Sequence, residues 1–261
     1  MTGGIVSAKP PGTVSVERVD GRATVTWERG PANVFDIGLL EDLTRALQRA
    51  EVTGAHVVVL RGGGKSWSGG LSVEDHLKPR VSAMFEAFHK TLTTLWNLPS
   101  PTIAQVHGRC LGGGLEMLMA CDLAIASEGA TFGQPEIRLG VFAPFGAATY
   151  SHLLGSRQAA ELLYLGTPFD AHRAASAGIV NRVVPDDELD ASVALTAQTI
   201  CSHRLETLRL LKRVLRKSEV DPWSRLAHAE RAYLDELMAL DESEEGLRAF
   251  LEKRTPVWKD G

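Results

Sequence analysis

Short apolar segments that alternate with longer helical ones constrain the fold of this chain most. Three of them are HVVVLRG (56–62), TIAQVHG (102–108) and CDLAIAS (121–127). The first is a short β-branched run ended by glycines, which is typical of a buried strand, and the other two are also predicted to be strands. Residues 36–49, with Asp36 as a cap, and residues 78–96 are predicted to be helical. Strands that alternate with helices predict an α/β fold with a largely parallel sheet.

The two ends of the chain depart from this alternation. Residues 14–28 alternate apolar and polar side chains around Asp20-Gly21, which predicts a β-hairpin. Beyond residue 157 the pattern is mostly helical, with a basic amphipathic helix over 204–217 and two more helices over 222–253.

Length and composition limit the class of protein. The 261 residues suffice for one large domain or two small ones without disulfides. We predict an α/β core over 1–200 and a helical region over 201–261. A net charge of −4 gives no long-range attraction for nucleic acid.

Three unpaired cysteines and an N-terminus without an apolar signal segment indicate a cytoplasmic protein with reduced thiols. The longest uncharged stretch, Leu139 to Ser156, is interrupted by proline, glycine and polar residues. We therefore expect a soluble protein with no membrane partner.

Three glycines at 112–114 precede a lone glutamate, Glu116, in the apolar stretch VHGRCLGGGLEMLMACD (106–122). Glycine lets a ligand approach the backbone closely, and the N–H groups that begin a helix carry partial positive charge. The spacing is not that of a GxGxxG nucleotide loop. A tight turn that packs the helix on a strand is the alternative, but burying a carboxylate without a partner is costly.

A second carboxylate, Glu136, follows twenty residues later in FGQPEIRLG. Two carboxylates in apolar surroundings have separated pKa values, so that one acts as a base while the other acts as an acid. Taken alone, Glu116 suits a salt bridge or a helix-dipole role, and Glu136 suits a surface loop. Their occurrence together near a glycine-rich helix start favours a catalytic pair.

A second glycine-rich turn, RGGGKSWSGGLSVEDH (61–76), also follows a predicted strand. If its N–H groups meet those of 112–114, two backbone donors converge on one oxyanion. A flexible surface loop is the alternative interpretation.

Four separated segments together resemble the enoyl-CoA hydratase/isomerase (crotonase) superfamily, in the same order from about Asn33 to Trp258. They are GKSWSGGLSVEDH, IAQVHGRCLGGGLEMLMACDLAIAS, ATFGQPEIRLG and LRAFLEKRTPVW. The resemblance implies an α/β fold with a β-β-α spiral core and a C-terminal helical trimerisation region, assembled as a homotrimer or a dimer of trimers. It implies an acyl-CoA thioester substrate and no separate cofactor, because coenzyme A is part of that substrate.

The resemblance also implies roles for individual residues. The N–H groups of Leu71 and Gly113 form an oxyanion hole for the thioester carbonyl, and each such donor is worth ~3 kcal/mol in comparable sites. Glu116 helps to deprotonate water, and Glu136 protonates the α-carbon. The contacts to coenzyme A, the last two often across a subunit boundary, fall on Lys65, Gly69, Phe250 and Lys253.

The segment GVFAPFGAATYSHLLG (140–155) departs from the family pattern. Pro144 stands where the family often has a glycine whose N–H helps to hold the catalytic water, and proline has no N–H. That donor is therefore missing or replaced. Phe142, Phe145 and Tyr150 make the segment aromatic, which suits a flat or cyclic acyl group; ordinary helix packing is the alternative.

Further segments resemble one branch of the family, the cyclohexa-1,5-diene-1-carbonyl-CoA hydratases, which act in the anaerobic breakdown of aromatic acids. They are ANVFDIGLLEDL, SGGLSVEDH, GVFAP and YLDELMALDESEEGLRAFLEKRTPVWK. We predict an acyl pocket formed by His76, Phe142, Pro144 and Phe145. A loop hydrogen-bonding role is the alternative for His76. The remaining histidines, His107 among them, lack metal-ligand spacing, so we predict no metal.

The principal prediction is a hydratase for an α,β-unsaturated acyl-CoA, with a cyclic dienoyl-CoA favoured over a straight-chain one. An isomerase, or a hydrolase of a C–C bond or thioester, is the second hypothesis; two glutamates favour hydration because one base suffices for isomerisation. A non-catalytic acyl-CoA scaffold or an RNA-binding protein is the third, and the carboxylate pair and the negative charge argue against these. The leucine stripe of 204–217 favours a core or subunit interface over an RNA or membrane surface.

Overall fold

The computed structural model of the chain describes residues 13–52, 54–218 and 221–258. The strands of these residues are β1 Thr13–Val19, β2 Arg22–Glu28, β3 Val57–Gly62, β4 Thr102–Val106, β5 Arg109–Leu111, β6 Leu123–Ser127, β7 Thr131–Gly133, β8 Phe169–Asp170 and β9 Arg182–Val184. The helices are α1 Ile37–Val52, α2 Val73–His76, α3 Val81–Trp96, α4 Gly113–Met119, α5 Pro144–Leu153, α6 Ser156–Leu165, α7 Ala171–Ser176, α8 Leu189–Cys201, α9 Leu205–Ser218, α10 Pro222–Arg231 and α11 Asp241–Leu251. A 3₁₀ turn covers Pro135–Leu139 and a π-helical turn covers Ala232–Glu236.

A six-stranded sheet in the order β1-β2-β3-β4-β6-β9 forms the centre of the fold. The first pair is antiparallel and the other pairs are parallel. β4 is buried along its whole length, and β3 is buried at every position except Arg61. The three apolar segments of the sequence are therefore the inner strands of a mostly parallel sheet, as predicted.

The hairpin and the first helix form where the local sequence specifies them. Asp20 and Gly21 both have positive φ, as the two central residues of a tight hairpin turn require, and Val19 pairs with Arg22. The N–H of Leu39 donates to Asp36 Oδ1 at 2.9 Å, so Asp36 caps α1 as predicted.

A second, three-stranded sheet in the order β5-β7-β8 lies beside the first. It pairs β5 in parallel with β7, and β7 antiparallel with β8. The sequence pattern predicts neither β8 nor β9, because strands of two and three residues are too short to show a period. This small sheet positions the candidate site.

The C-terminal helices pack on the core that the sheet forms. Leu226 of α10 belongs to the main apolar cluster together with Trp27 and Trp67. Asp122, just before β6, forms ion pairs with Lys212 at 2.7 Å and Arg216 at 2.8 Å, which join α9 to the sheet. The boundary at residue 200 stays a prediction.

The described part of the chain contains no helix suited to crossing a membrane. None of its helices combines the length and the apolar character that a membrane span requires.

Candidate active site

The two glycine-rich segments lie against each other. The N–H of Ser68 donates to Arg109 O at 2.8 Å, and the N–H of Leu111 donates back to Ser68 O at 3.0 Å. Trp67 Nε1 donates to Gly114 O at 2.9 Å. These bonds fix residues 66–71 beside β5 and the start of α4.

Gly70 and Leu71 reach the first residues of α4. A Cβ atom at Gly70 would lie 3.6 Å from Gly113 N, and a Cβ atom at Gly113 would lie 2.7 Å from Leu71 Cγ. Within the described residues, the N–H groups of Leu71 and Gly113 donate to no backbone or side-chain acceptor. Two backbone donors therefore remain available at adjacent positions, which is the arrangement that an oxyanion hole requires.

Gly112 occupies a backbone position that only glycine fills without strain. Its φ of 53° and ψ of −128° lie outside the regions that residues with a Cβ adopt readily. A Cβ atom there would also lie 2.5 Å from Glu136 Oε1. The N–H of Gly112 donates to Gly133 O at 2.9 Å, so the small sheet carries Glu136 to the start of α4.

Glu116 lies in the first turn of α4 and is 1% exposed. Its Oε1 accepts the N–H of Gly146, the third residue of α5, at 2.9 Å. The first N–H groups of a helix have no partner within the helix, so α5 offers a donor to this carboxylate. Pro144, which lacks an N–H, begins the same helix.

Glu136 lies in the 3₁₀ turn after β7, and its carboxylate is oriented by two polar side chains. Tyr150 Oη donates to Gln134 Oε1 at 2.8 Å, and Gln134 Nε2 donates to Glu136 Oε1 at 3.1 Å. Glu136 Oε2 is buried and has no hydrogen-bond partner among the described residues. One carboxylate oxygen is therefore held while the other is available to a ligand.

Burial raises the pKa of Glu116, and the charge of Glu136 raises it further, against the opposing effect of the Gly146 N–H. Burial also raises the pKa of Glu136, while its own N–H and the Gln134 amide lower it. The pair therefore retains a proton near neutral pH, where an isolated carboxyl group is ionised. One carboxylate and one carboxylic acid side by side can exchange roles as base and acid.

A cavity of about 570 Å³ opens beside this pair. Of the predicted site residues, its wall contains Gly69, Leu71, His76, Glu136 and Phe250. His76 is buried, and burial lowers its pKa. Its Nδ1 lies 2.9 Å from Ser72 O, a carbonyl that only accepts, so Nδ1 carries the proton of a neutral imidazole.

The remaining predicted residues lie off the cavity wall. Glu116 and Gly113 are buried directly behind Gly112, which lines the wall. Lys65 and Lys253 both have exposed side chains.

The expectation for the aromatic segment differs from the structure, because none of Phe142, Pro144 and Phe145 lines the cavity. Phe142 packs on Tyr233 with a centroid separation of 5.3 Å, and the buried Phe145 lies 6.3 Å from the Trp223 ring. Helix packing, the alternative interpretation, accounts for both rings.

The sequence interpretation missed several residues that surround the cavity. Arg109, Arg138 and Arg254 line its more exposed part. Arg254 follows the predicted Lys253 directly, and its side chain pairs with Glu245 and Glu252. Isolated arginines carry no signal in a single sequence, and neither does Gln134, whose role depends on Tyr150 sixteen residues away.

Comparisons with known proteins agree with this geometry. The family model described as enoyl-CoA hydratase/isomerase matches residues 17–261. The cyclohexa-1,5-dienecarbonyl-CoA hydratase of Thauera aromatica is 32% identical over 255 residues, which cover 97% of this chain and 98% of that protein. A mevalonyl-coenzyme A hydratase of Aspergillus fumigatus is 34% identical over 216 residues, 78% of each protein.

A solved structure has the same fold. The enoyl-CoA hydratase/isomerase from Xanthobacter autotrophicus Py2 is 30% identical and superposes with a TM-score of 0.79, covering 92% of this chain and 96% of that one. The predicted crotonase-type α/β fold is thereby confirmed, and the chain is a member of the enoyl-CoA hydratase/isomerase family of enzymes.

Proposed function

We propose that this enzyme adds water to an α,β-unsaturated acyl-CoA and that its preferred substrate is a cyclic dienoyl-CoA. One observation carries the proposal: the buried carboxyl group of Glu116 and the half-buried Glu136, whose Oε2 is itself buried, lie together beside the free backbone donors of Leu71 and Gly113. A scaffold without activity has no use for such a pair, since its burial without a function is costly.

The thioester oxygen binds the N–H groups of Leu71 and Gly113. These donors stabilise the negative charge that develops on the oxygen as the conjugated system accepts a nucleophile, and each contributes about 3 kcal/mol in comparable sites. Withdrawal of charge makes the distal carbon of the conjugated system electrophilic.

The carboxyl pair moves two protons. Burial favours the shared proton on Glu116, so hydration proceeds from the less populated form of the pair, in which the proton is on Glu136. As the water oxygen bonds to the electrophilic carbon, ionised Glu116 takes one water proton, and protonated Glu136 delivers its own proton to the carbon that carries the enolate charge. The product has gained one H and one OH. Glu116 ends protonated and Glu136 ionised, so one proton returns between the two neighbours before the next turnover.

The cavity supports an acyl-CoA ligand. Its wall combines apolar side chains such as Val34, Val73 and Val141 with three arginines at the exposed part. Guanidinium groups are well suited to phosphate oxygens, which coenzyme A carries. We assign Gly69 and Phe250, on the cavity wall, to contacts with coenzyme A. We assign the exposed Lys65 and Lys253 to contacts with its phosphate groups outside the cavity.

The cyclic substrate is supported by the relative from Thauera aromatica, whose similarity extends over nearly the whole of both chains. The relative from Aspergillus fumigatus is named for a different acyl group at similar identity, so sequence identity does not by itself select the substrate. A direct comparison of substrates is required.

The test offers purified enzyme crotonyl-CoA and cyclohexa-1,5-diene-1-carbonyl-CoA side by side and follows the gain of one water by mass spectrometry. We expect hydration of both and a higher kcat/KM for the cyclic diene. A higher kcat/KM for crotonyl-CoA overturns the cyclic assignment and leaves a general enoyl-CoA hydratase. Turnover of neither, or thioester hydrolysis instead, overturns the proposal as a whole.

A further inference from the structure

Tyr233 is a buried tyrosine that the mechanism above does not use. It lies on the π-helical turn Ala232–Glu236 and is 0% exposed. Its ring packs edge-on against Phe85, at a centroid separation of 4.7 Å, and against Phe142 at 5.3 Å. π-Helical turns occur frequently at functional sites, because the extra residue displaces a side chain from the regular helical position.

The phenol oxygen of Tyr233 has no hydrogen-bond partner among the described residues, although it is fully buried. An unsatisfied buried hydroxyl destabilises a fold by about 1–3 kcal/mol relative to a satisfied one. Phenylalanine would fill the same space without this penalty. The hydroxyl therefore requires an explanation other than packing.

The hydroxyl lies near the carboxyl pair. Tyr233 belongs to the same apolar cluster as Leu71, Leu139 and Val141, which line the cavity around Glu136. Burial raises the pKa of Tyr233, and the charges of Glu136 and Glu116 raise it further. The phenol therefore remains a proton donor throughout the neutral range, and Glu136 Oε2 is a second buried atom here without a partner.

The other polar side chains around the pair are already engaged. Tyr150 Oη donates to Gln134, His76 Nδ1 donates to Ser72 O, and the N–H of Gly146 donates to Glu116. The helix start that approaches Glu116 begins with Pro144, which has no N–H to offer. Within the described residues, Tyr233 combines a buried hydroxyl that has no hydrogen-bond partner with an electrostatic interaction with both carboxyl groups.

We propose that the Tyr233 hydroxyl hydrogen-bonds the water that adds to the substrate, in place of the backbone donor that Pro144 cannot supply. This inference rests on the proposed hydratase function. Glu116 and Glu136 move the protons, while Tyr233 orients the oxygen toward the electrophilic carbon and stays protonated. Tyr233 thereby becomes a third catalytic residue, contributed by the C-terminal region.

The experiment compares wild type, Tyr233→Phe and the control Tyr164→Phe, whose side chain is 77% exposed. Hydration of whichever enoyl-CoA the wild type turns over is measured as kcat and KM, and thermal unfolding as Tm. We expect Tyr233→Phe to lower kcat about 10- to 100-fold, the usual effect of losing one hydrogen bond in a charged site. KM should stay within twofold, because the hydroxyl contacts water and not coenzyme A. The control should match the wild type.

Two further measurements, Tm and the rate of the reverse dehydration, distinguish a catalytic role of the Tyr233 hydroxyl from a role in packing. Tm of Tyr233→Phe should equal or exceed that of the wild type, and dehydration of the product should slow by the same factor as hydration, since the equilibrium constant is fixed. A kcat within twofold of wild type overturns the role of Tyr233 while the hydratase proposal stands. A lower Tm shows that the hydroxyl has a structural partner and also overturns it. An inactive wild type overturns both proposals.

Discussion

At the scale of single residues, the chain holds a carboxylate at a position where ionisation is unfavourable. Glu116 is almost completely buried, and its charge is opposed by a second carboxylate and supported by the Gly146 N–H. Such a group favours the protonated form in the folded state. Ionisation of Glu116 therefore lowers the free energy of unfolding, and the other interactions of the core must offset this loss.

Glu116→Gln should stabilise the fold in a pH-dependent way. The pKa of Glu116 is raised on folding, so above the unfolded value of about 4.3 the folded state binds more protons than the unfolded state. Stability of the wild type then falls as pH rises toward neutral. Glutamine keeps the acceptor for Gly146 and carries no charge. The Tm advantage of Glu116→Gln should be near zero at pH 4 and grow up to pH 8.

The control for this measurement is Glu41→Gln, on the exposed surface of α1. It should leave the Tm within a degree of the wild type at each pH. The prediction is contradicted if the Tm difference between Glu116→Gln and wild type is constant with pH, or if the variant becomes less stable than wild type as pH rises. Either result would show that folding does not raise the pKa of Glu116.

Some of these residues follow from the sequence and others do not. The glutamates are found because carboxylates within apolar segments are conspicuous. Tyr233 and Arg254 are not found, because a tyrosine or arginine among helical residues is unremarkable until the fold brings it to the cavity or the carboxyl pair. Phe142 and Phe145 show the reverse case: both pack on neighbouring aromatic rings, because aromatic character near a site does not distinguish a pocket wall from a packed helix.

At the scale of elements, the site depends on the junction between β5 and α4. Gly112→Ala should both strain this junction and displace Glu136, because its Cβ would lie 2.5 Å from Glu136 Oε1. Gly155→Ala is the matched control, since Gly155 also has positive φ, +87°, but nothing lies within 4 Å of its Cβ position. Both variants should lose about 1 kcal/mol from backbone strain. Only Gly112→Ala should lower kcat, by tenfold or more.

A second contact between elements is made by Asp122, which joins α9 to the sheet through its ion pairs. It accepts the N–H and hydroxyl of Thr102 and faces Lys212, which is 5% exposed, and Arg216. Asp122→Ala leaves the buried ammonium group of Lys212 without this carboxylate and should lower the free energy of unfolding by about 3–5 kcal/mol.

Denaturant titration measures this loss. Asp42→Ala, which removes the exposed pair with Arg45, is the control and should change the free energy by less than about 0.5 kcal/mol. Equal effects of the two substitutions would show that the Asp122 junction contributes no more than a surface pair.

The elements themselves are largely predictable. The hairpin, α1, α3 and the inner strands follow from local signals: two turn residues with positive φ, a capping aspartate and continuous apolar runs. The small sheet and the π-helical turn are not predictable locally, because β8 has two residues and Tyr233 is placed by packing on Phe85 and Phe142. These less predictable elements are the ones that surround the site.

At the scale of the whole molecule, α9 presents apolar side chains that the described residues leave exposed. Leu210, Leu211 and Val214 are each more than half exposed, while Lys212 on the opposite face is buried. We propose that this face forms the subunit contact of a homotrimer or a dimer of trimers, since exposed apolar patches mark interaction sites.

Sedimentation tests the assembly. Wild type should sediment at three or six times the chain mass, and Leu211→Glu with Val214→Glu should shift it toward the monomer, because burying two carboxylates at the contact is unfavourable. Val19→Glu, an exposed apolar residue of the hairpin, is the control and should leave the mass unchanged. A monomeric wild type would contradict the proposal.

The proposed chemistry depends on the carboxyl pair, and isotope incorporation with variants of each glutamate measures that dependence. Wild type, Glu116→Gln, Glu136→Gln and the surface control Glu41→Gln are each given enoyl-CoA in H₂¹⁸O, and the ¹⁸O-labelled product is followed by mass spectrometry. We expect one labelled oxygen per product for wild type and control, and rates at least ~100-fold lower for each pair variant with the fold retained. Either variant hydrating within tenfold of the wild-type rate would contradict this expectation.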